Sequence, residues 1–287
     1  MRSLVLVALL SVFVFVPSAR ADDAAPVRVA TLVPWVHDLV ALAPERATIV
    51  ASTRSLRHGT TAGDDRVDLG SPHAPSLEAL ASARADVVVY DEAMHARSVT
   101  KLRALAGRAV GVRTDDVDAT LEAIETVGRA LDLGDVAAAR VAELRESINR
   151  SDLGRDVSAV TLYASPGAPV VVTERTWLGD LLGRLGVVNA AAAVSGREGY
   201  PGYVTPSEET IATLRADWIL LVVHGSGEDA LRALRRRMEA ESVWRGLRES
   251  VGDRILVLDQ ELFGSNPGVR LDEAAAWVHE RLGEGRP

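Results

Sequence analysis

One short stretch of this chain occurs twice. Residues 75–89 read PSLEALASARADVVV and residues 206–220 read PSEETIATLRADWIL, identical at seven of fifteen positions with an offset of 131. Most of the other pairs are conservative, such as Leu80 with Ile211 and Val88 with Ile219. A duplication constrains the fold strongly, because whatever unit one copy builds the other builds too. In each copy a serine behind a proline, Ser76 or Ser207, is placed to cap a short helix whose first turn carries glutamate. An Arg-Ala-Asp turn then leads into an unbroken apolar run, at 87–90 or 218–223. Apolar runs without alternation are buried on both faces, as strands of a parallel sheet are.

The pattern around the copies alternates between strand and helix. Residues 27–33, 47–52 and 108–113 read as strands of the first half, with helices over 35–42 and 99–105. Residues 158–164, 170–173 and 255–258 read as strands of the second, with helices over 177–185, 231–241 and 271–282. Between the halves, 117–131 and 136–148 have helical spacing interrupted only around Gly134. The expected fold is α/β: two Rossmann-like lobes with mainly parallel sheets, joined by a long backbone helix, with a ligand cleft between the lobes. The expected units are a signal peptide at 1–21, an N-terminal lobe at 22–116, a connecting helical segment at 117–150 and a C-terminal lobe at 151–287. A helical connection limits closure to small motions.

The start of the chain predicts an address. Arg2, the apolar run 4–16 and Ala19-Arg20-Ala21 have the layout of a secretory signal peptide cleaved before Asp22. The run of 13 residues is too short to span a bilayer. Losing Arg2 and Arg20 takes the net charge from −8 to −10. The chain has no cysteine, which excludes thiolate zinc sites, Fe–S clusters, disulfides and a lipid anchor at the cleavage point. Its acidity argues against nucleic acid as a partner, and Lys101 is its only lysine.

Taken together, RVATL at 28–32, SLEALASARADVVV at 76–89, TWLGDLLGRLG at 176–186, residues 204–221 and LDQELFGSNPGVR at 258–270 carry a resemblance. In this order the chain resembles the helical-backbone class of periplasmic substrate-binding proteins of ABC importers. The resemblance implies a monomeric periplasmic carrier with no catalytic cofactor, whose partners are an ABC permease and its ATPase subunits. The implied cargo is a metal chelate of the siderophore, haem or cobalamin type. In that branch one glutamate per lobe docks on the permease, eight residues before the aspartate that begins a strand. Glu78 precedes Asp86 by eight and Glu209 precedes Asp217 by eight, with Glu208 beside the second.

Ligands of open α/β sheets bind beyond the carboxyl ends of the strands. The duplicated strands lead to His95 and to His224, and His73 lies in a loop just before the first copy. The counterpart loop of the second lobe carries Tyr200 and Tyr203, and Trp177 starts a helix at the expected cleft edge. These six are the candidate ligand-binding residues. Imidazole suits zinc, iron, copper or nickel, and tyrosinate suits ferric iron or haem. Pro72-His73 also resembles the first ligand motif of the zinc and manganese branch, which leaves a bare transition metal as the alternative cargo. Its ligands would be His73, His95, His224 and an acid, Asp259 or Glu261, although that branch's His-x-Trp-x-Asp-Pro segment is missing. His37, His58 and His279 read as structural or exposed. A secreted hydrolase is the remote alternative. His224-Gly225-Ser226-Gly227 is not a nucleophile elbow, and no phosphate-binding glycine motif or His-Glu-x-x-His occurs.

Overall fold

The two copies of the duplicated stretch occupy the same place in two sheets. The computed structural model describes residues 25–54, 65–154, 156–164, 170–194, 196–223 and 227–283; the expected signal peptide, His58 and His224 lie outside them. The first lobe runs β1 (Val27–Thr31), α1 (Val36–Ala41), β2 (Ala47–Ser52), β3 (Val67–Asp68) and a small hairpin of β4 (Gly70–Ser71) and β5 (Ala74–Pro75). It continues through α2 (Leu77–Ala83), β6 (Val87–Asp91), α3 (Val99–Leu105) and β7 (Arg108–Val112). Its sheet is parallel throughout, in the order β3-β2-β1-β6-β7.

Helices α4 (Val117–Ala130) and α5 (Gly134–Arg150) lead to the second lobe. That lobe runs β8 (Val157–Tyr163), β9 (Val170–Val172), α6 (Trp177–Arg184), β10 (Val187–Asn189), β11 (Gly196–Tyr200), β12 (Tyr203–Pro206) and α7 (Glu208–Thr213). It closes with β13 (Trp218–Val222), α8 (Gly227–Ala240), α9 (Arg245–Val251), β14 (Ile255–Val257), α10 (Gln260–Phe263) and α11 (Leu271–Gly283). Parallel strands in the order β10-β8-β13-β14 repeat the first lobe's β2-β1-β6-β7.

The repeated residues do the same work twice. Ser76 Oγ accepts the Ala79 amide at 3.1 Å and Ser207 Oγ accepts the Thr210 amide at 3.2 Å, capping α2 and α7. Asp86 accepts the amide of Arg28 on β1 at 2.9 Å, and Asp217 accepts that of Ser158 on β8 at 3.2 Å. Each aspartate therefore ties the start of its strand to the neighbouring central strand. The apolar runs then alternate between two cores, as a strand buried on both faces must. Val87, Val89, Leu220 and Val222 face one cluster shared by both lobes, to which α4, α5, α6 and α11 contribute. Val88 and Tyr90 face a core belonging to the first lobe, and Ile219 and Leu221 a core belonging to the second.

Two features differ from the sequence reading. The second sheet is mixed, because β9, β12 and β11 extend it as antiparallel strands beyond β8. Residues 196–200, GREGY, are exposed along their whole length and have no apolar pattern to announce a strand. The helical connection is two helices folded back on each other, since Asp118 near the start of α4 meets Arg145 near the end of α5 at 3.2 Å. Asp132 makes the reversal with φ of 57°, a left-handed conformation that aspartate tolerates, and its carbonyl accepts a hydrogen bond from Arg46. The close approach of the pair depends on Gly128, where a Cβ would stand 2.3 Å from that of Ala137.

Candidate functional site

The carboxyl ends of both sets of parallel strands open on one cavity of about 580 Å³ between the lobes. The first lobe lines it with Leu32–Trp35 after β1, Arg54 after β2, Pro72 and His73 in the β4–β5 hairpin, Asp91 at the end of β6 and Met94 after it, and Asp115 after β7. The second lobe lines it with Tyr163 at the end of β8, Val170 and Val172 of β9, residues 175–178, the β11–β12 turn, and Val222 at the end of β13. Gln260, Glu261, residues 263–267 and Arg270 complete the wall. The surface is largely apolar and aromatic, with a few charged groups, which is the make-up of a site for a bulky small molecule.

The segment after β14 reaches across to the first lobe and the connector. Asn266 Nδ2 donates to Thr120 Oγ1 at 2.8 Å, and the Arg140 guanidinium donates to Val269 O at 2.8 Å and to Asp272 at 2.7 Å. Gly268, with φ of 54°, leaves room for Trp35, as a Cβ there would lie 2.2 Å from Trp35 Cγ. Trp177 stacks on Phe263 with ring centroids 6.5 Å apart and planes 12° apart. The cleft wall is thus a packed surface, set by helix α6 and the chain after β14 together.

Of the residues that the sequence singles out, His73, Tyr200, Tyr203, Trp177 and Glu261 line this cavity. His73 is exposed, and its ring has no hydrogen-bond partner among the described residues. Tyr203 is partly buried between Tyr163, at 6.1 Å and edge-on, and Tyr200, at 5.9 Å. Burial pushes the Tyr203 phenol above its ordinary range. The Tyr200 phenol is pushed up to about 12, first by loss of surrounding water and then by the charges of Asp91 and Asp115 on the opposite lobe. Both phenols are therefore neutral hydroxyls near neutral pH.

His95 stands elsewhere. It is 2% exposed, with Nδ1 3.0 Å from Asp91 O and Nε2 2.8 Å from Pro72 O. Its ring lies beneath the wall, where it ties the loop after β6 to the hairpin that carries His73. A histidine three or four residues past a strand carries no signal of which way its ring turns, and the tight turn at 91–98 turns this one inward. The metal set His73, His95, His224 and Glu261 is accordingly not assembled by the described part of the chain. Among the described residues, no group of three His, Asp or Glu side chains is placed to hold a metal ion. His37 lies outside the cavity wall, with Nδ1 2.9 Å from an Arg66 nitrogen, and His279 is on the exposed side of α11.

The sequence reading missed Arg54, Asp91, Met94, Asp115, Tyr163 and Arg175. A signal existed for most of them, since Arg54, Asp91, Met94, Asp115 and Tyr163 lie at or just past the carboxyl ends of the parallel strands β2, β6, β7 and β8, where ligands of such sheets gather.

A cavity closed by the strand ends of two similar lobes on a helical connector defines a cleft-binding receptor. The chain belongs to the periplasmic binding protein family, whose model matches residues 29–246. Its solved structural neighbours include the haem complex of IsdE from Staphylococcus aureus, with a TM-score of 0.72 and 16% identity over 88% of this chain and 97% of that one. Petrobactin-binding YclQ from Bacillus subtilis has a TM-score of 0.74 and 15% identity over 91% and 93%. A periplasmic haem-binding protein from Pseudomonas aeruginosa has a TM-score of 0.73 and 19% identity over 91% and 94%. Among curated proteins, the high-affinity haem uptake protein IsdE of S. aureus is 23% identical over 119 residues, which is 42% of this chain and 39% of that protein. The chain thus matches about two fifths of that relative's length, and at these identities the structural likeness is one of fold. Among the described residues, no helix is long and apolar enough to cross a membrane.

Proposed function

We propose that this protein is the substrate-binding component of an ABC importer, and that it captures a ferric chelate of the haem type between its lobes. The observation that carries the reading is the cleft itself: a largely apolar space of about 580 Å³ with phenols on one lobe and an imidazole on the other. Apolar and aromatic walls suit a porphyrin. Tyr200, Tyr203 and His73 supply the oxygen and nitrogen donors that ferric haem takes. Because both phenols are neutral beforehand, coordination by either releases a proton. The family and its neighbours are binding proteins, and in this reading binding is the whole chemistry.

A ferric siderophore is the second reading, favoured by Arg54, Arg175 and Arg270 on the cavity wall, which suit anionic arms. The bare-ion alternative loses support from the burial of His95. Delivery would use Glu78 and Glu209. Both are exposed in the first turns of α2 and α7, five and six residues from the cavity-lining His73 and Tyr203. One acidic group therefore follows a cleft-lining hairpin on each lobe. A periplasmic location, reached by cleavage before Asp22, fits this role, as does a monomer working with a permease and its ATPase.

The test is titration of the purified protein with ferric haem, read from its visible spectrum. We expect a saturable one-to-one band that weakens about tenfold in affinity in Tyr203→Phe, the loss of one ligand-bearing contact. Absence of saturable binding would sink the haem reading, and tight uptake of a ferric siderophore instead would establish the second.

A further inference from the structure

Glu198 lies on β11, beside the cleft rather than in its wall, and one of its oxygens accepts two hydrogen bonds. Oε1 takes the Gly202 amide at 2.6 Å and Arg175 Nη1 at 2.8 Å. Gly202 is the tip of the hairpin between Tyr200 and Tyr203, and Arg175 lies in the cavity-lining turn before α6. The tip is bound from its other side too, since Gly202 O accepts the Thr173 amide at 2.9 Å and Thr173 Oγ1 at 3.0 Å. Gly202 has φ of 80°, and a Cβ there would stand 2.5 Å from Thr176 Cγ2 and 2.9 Å from the Arg175 carbonyl carbon. No side chain can seat this turn, so its place depends on what holds its N–H and its C=O. The Gly202 amide first, and Arg175 second, hold the Glu198 carboxyl below the usual carboxylate range.

We infer that Glu198 is a positioning residue for cargo binding: through Gly202 it sets the hairpin tip, and so presents Tyr200 and Tyr203 to the cleft, while it holds Arg175 at the same edge. The binding half of this inference rests on the reading that the two tyrosines meet the cargo. The tip-setting half does not.

The experiment uses the full protein and two variants. Glu198→Gln keeps an acceptor oxygen at the same reach and gives up the ion pair with Arg175, whereas Glu198→Ala removes both. In cargo-free protein, we expect amide hydrogen exchange at Gly202 to rise about tenfold in Glu198→Ala and to stay within about threefold in Glu198→Gln. Affinity for ferric haem should follow the same order, about tenfold weaker for Ala and within about threefold for Gln, with the visible band displaced only in Ala. Unchanged exchange at Gly202 in Glu198→Ala overturns the inference. Faster exchange with unaltered haem affinity overturns the binding half. If Tyr200→Phe with Tyr203→Phe leaves haem binding intact while Glu198→Ala still speeds exchange, the cargo reading has failed and the binding half with it, while the tip-setting stands.

Discussion

Two hairpins hold equivalent places in the two lobes, each just ahead of a copy of the duplicated helix. The first, β4–β5, has two residues per strand, pairs with no larger sheet, and carries His73 exposed. The second, β11–β12, joins the main sheet through β9 and carries Tyr200 and Tyr203 on a tip bonded at both its amide and its carbonyl. A shared frame thus supports an exposed imidazole on one side of the cleft and an aromatic pair on a sheet-joined hairpin on the other. Duplication preserved what the sheet needs, namely the serine cap, the aspartate tie and the buried run. The segments over the strand ends differ between the lobes, as loops that carry function commonly do.

The largest effect should come from placing alanine in each of the two hairpins in turn. Gly202→Ala meets a left-handed backbone and a 2.5 Å contact, so we expect about 2–3 kcal/mol lost in urea unfolding. His73→Ala should stay within about 0.5 kcal/mol, as exposed positions do. Equal losses would mean that the two hairpins are held alike.

A second comparison concerns how each lobe grips the connector. Arg46 of the first lobe pairs with Asp135 at 2.8 Å, and Arg184 of the second pairs with Asp118 at 2.7 Å. Asp135 is lowered to about 2, chiefly by its hydrogen bond from Arg46, and Asp118 is lowered chiefly by Arg184. In an unfolded chain an aspartate titrates near about 3.9, so both pairs add stability that is complete above about pH 5. That stability is lost as pH falls through the folded values. Asp135→Asn and Asp118→Asn should each weaken the protein at about pH 7, and the gap to the parent should narrow as pH falls and close near about pH 1, in unfolding curves taken across that range. A penalty that persists in acid would assign the loss to packing instead of charge.

The smallest effect on the purified protein should come from Glu78→Arg and Glu209→Arg. Reversing an exposed helix-start acid costs at most about 1 kcal/mol through the helix dipole, and cargo affinity should not move. Transport by cells carrying the matching permease should fall for both, which tests whether the two lobes dock symmetrically. Normal transport with either variant removes that residue from the docking proposal.

Much of the frame was legible beforehand. Strand 47–52 and helix 99–105 have the bounds read from the sequence, and most other elements shift by one or two residues at an end. Their apolar periodicity is strong. The β11 strand and the turn at Asp132 were not legible, since exposed residues leave no burial pattern and a single left-handed aspartate has no composition signal. At the site, position relative to strand ends found His73 and the two tyrosines, whereas ring direction decided against His95.

The sequence by itself determined two related α/β units, a helical connection, and donor-bearing loops at the ends of the duplicated strands. It could do so because burial and capping act over a few residues at a time. Only the tertiary structure decided which of those donors share a cavity. Contacts such as His95 with Pro72, Gly268 with Trp35 and Glu198 with Gly202 depend on where separate segments meet, and local sequence pattern does not encode the direction of a side chain in space.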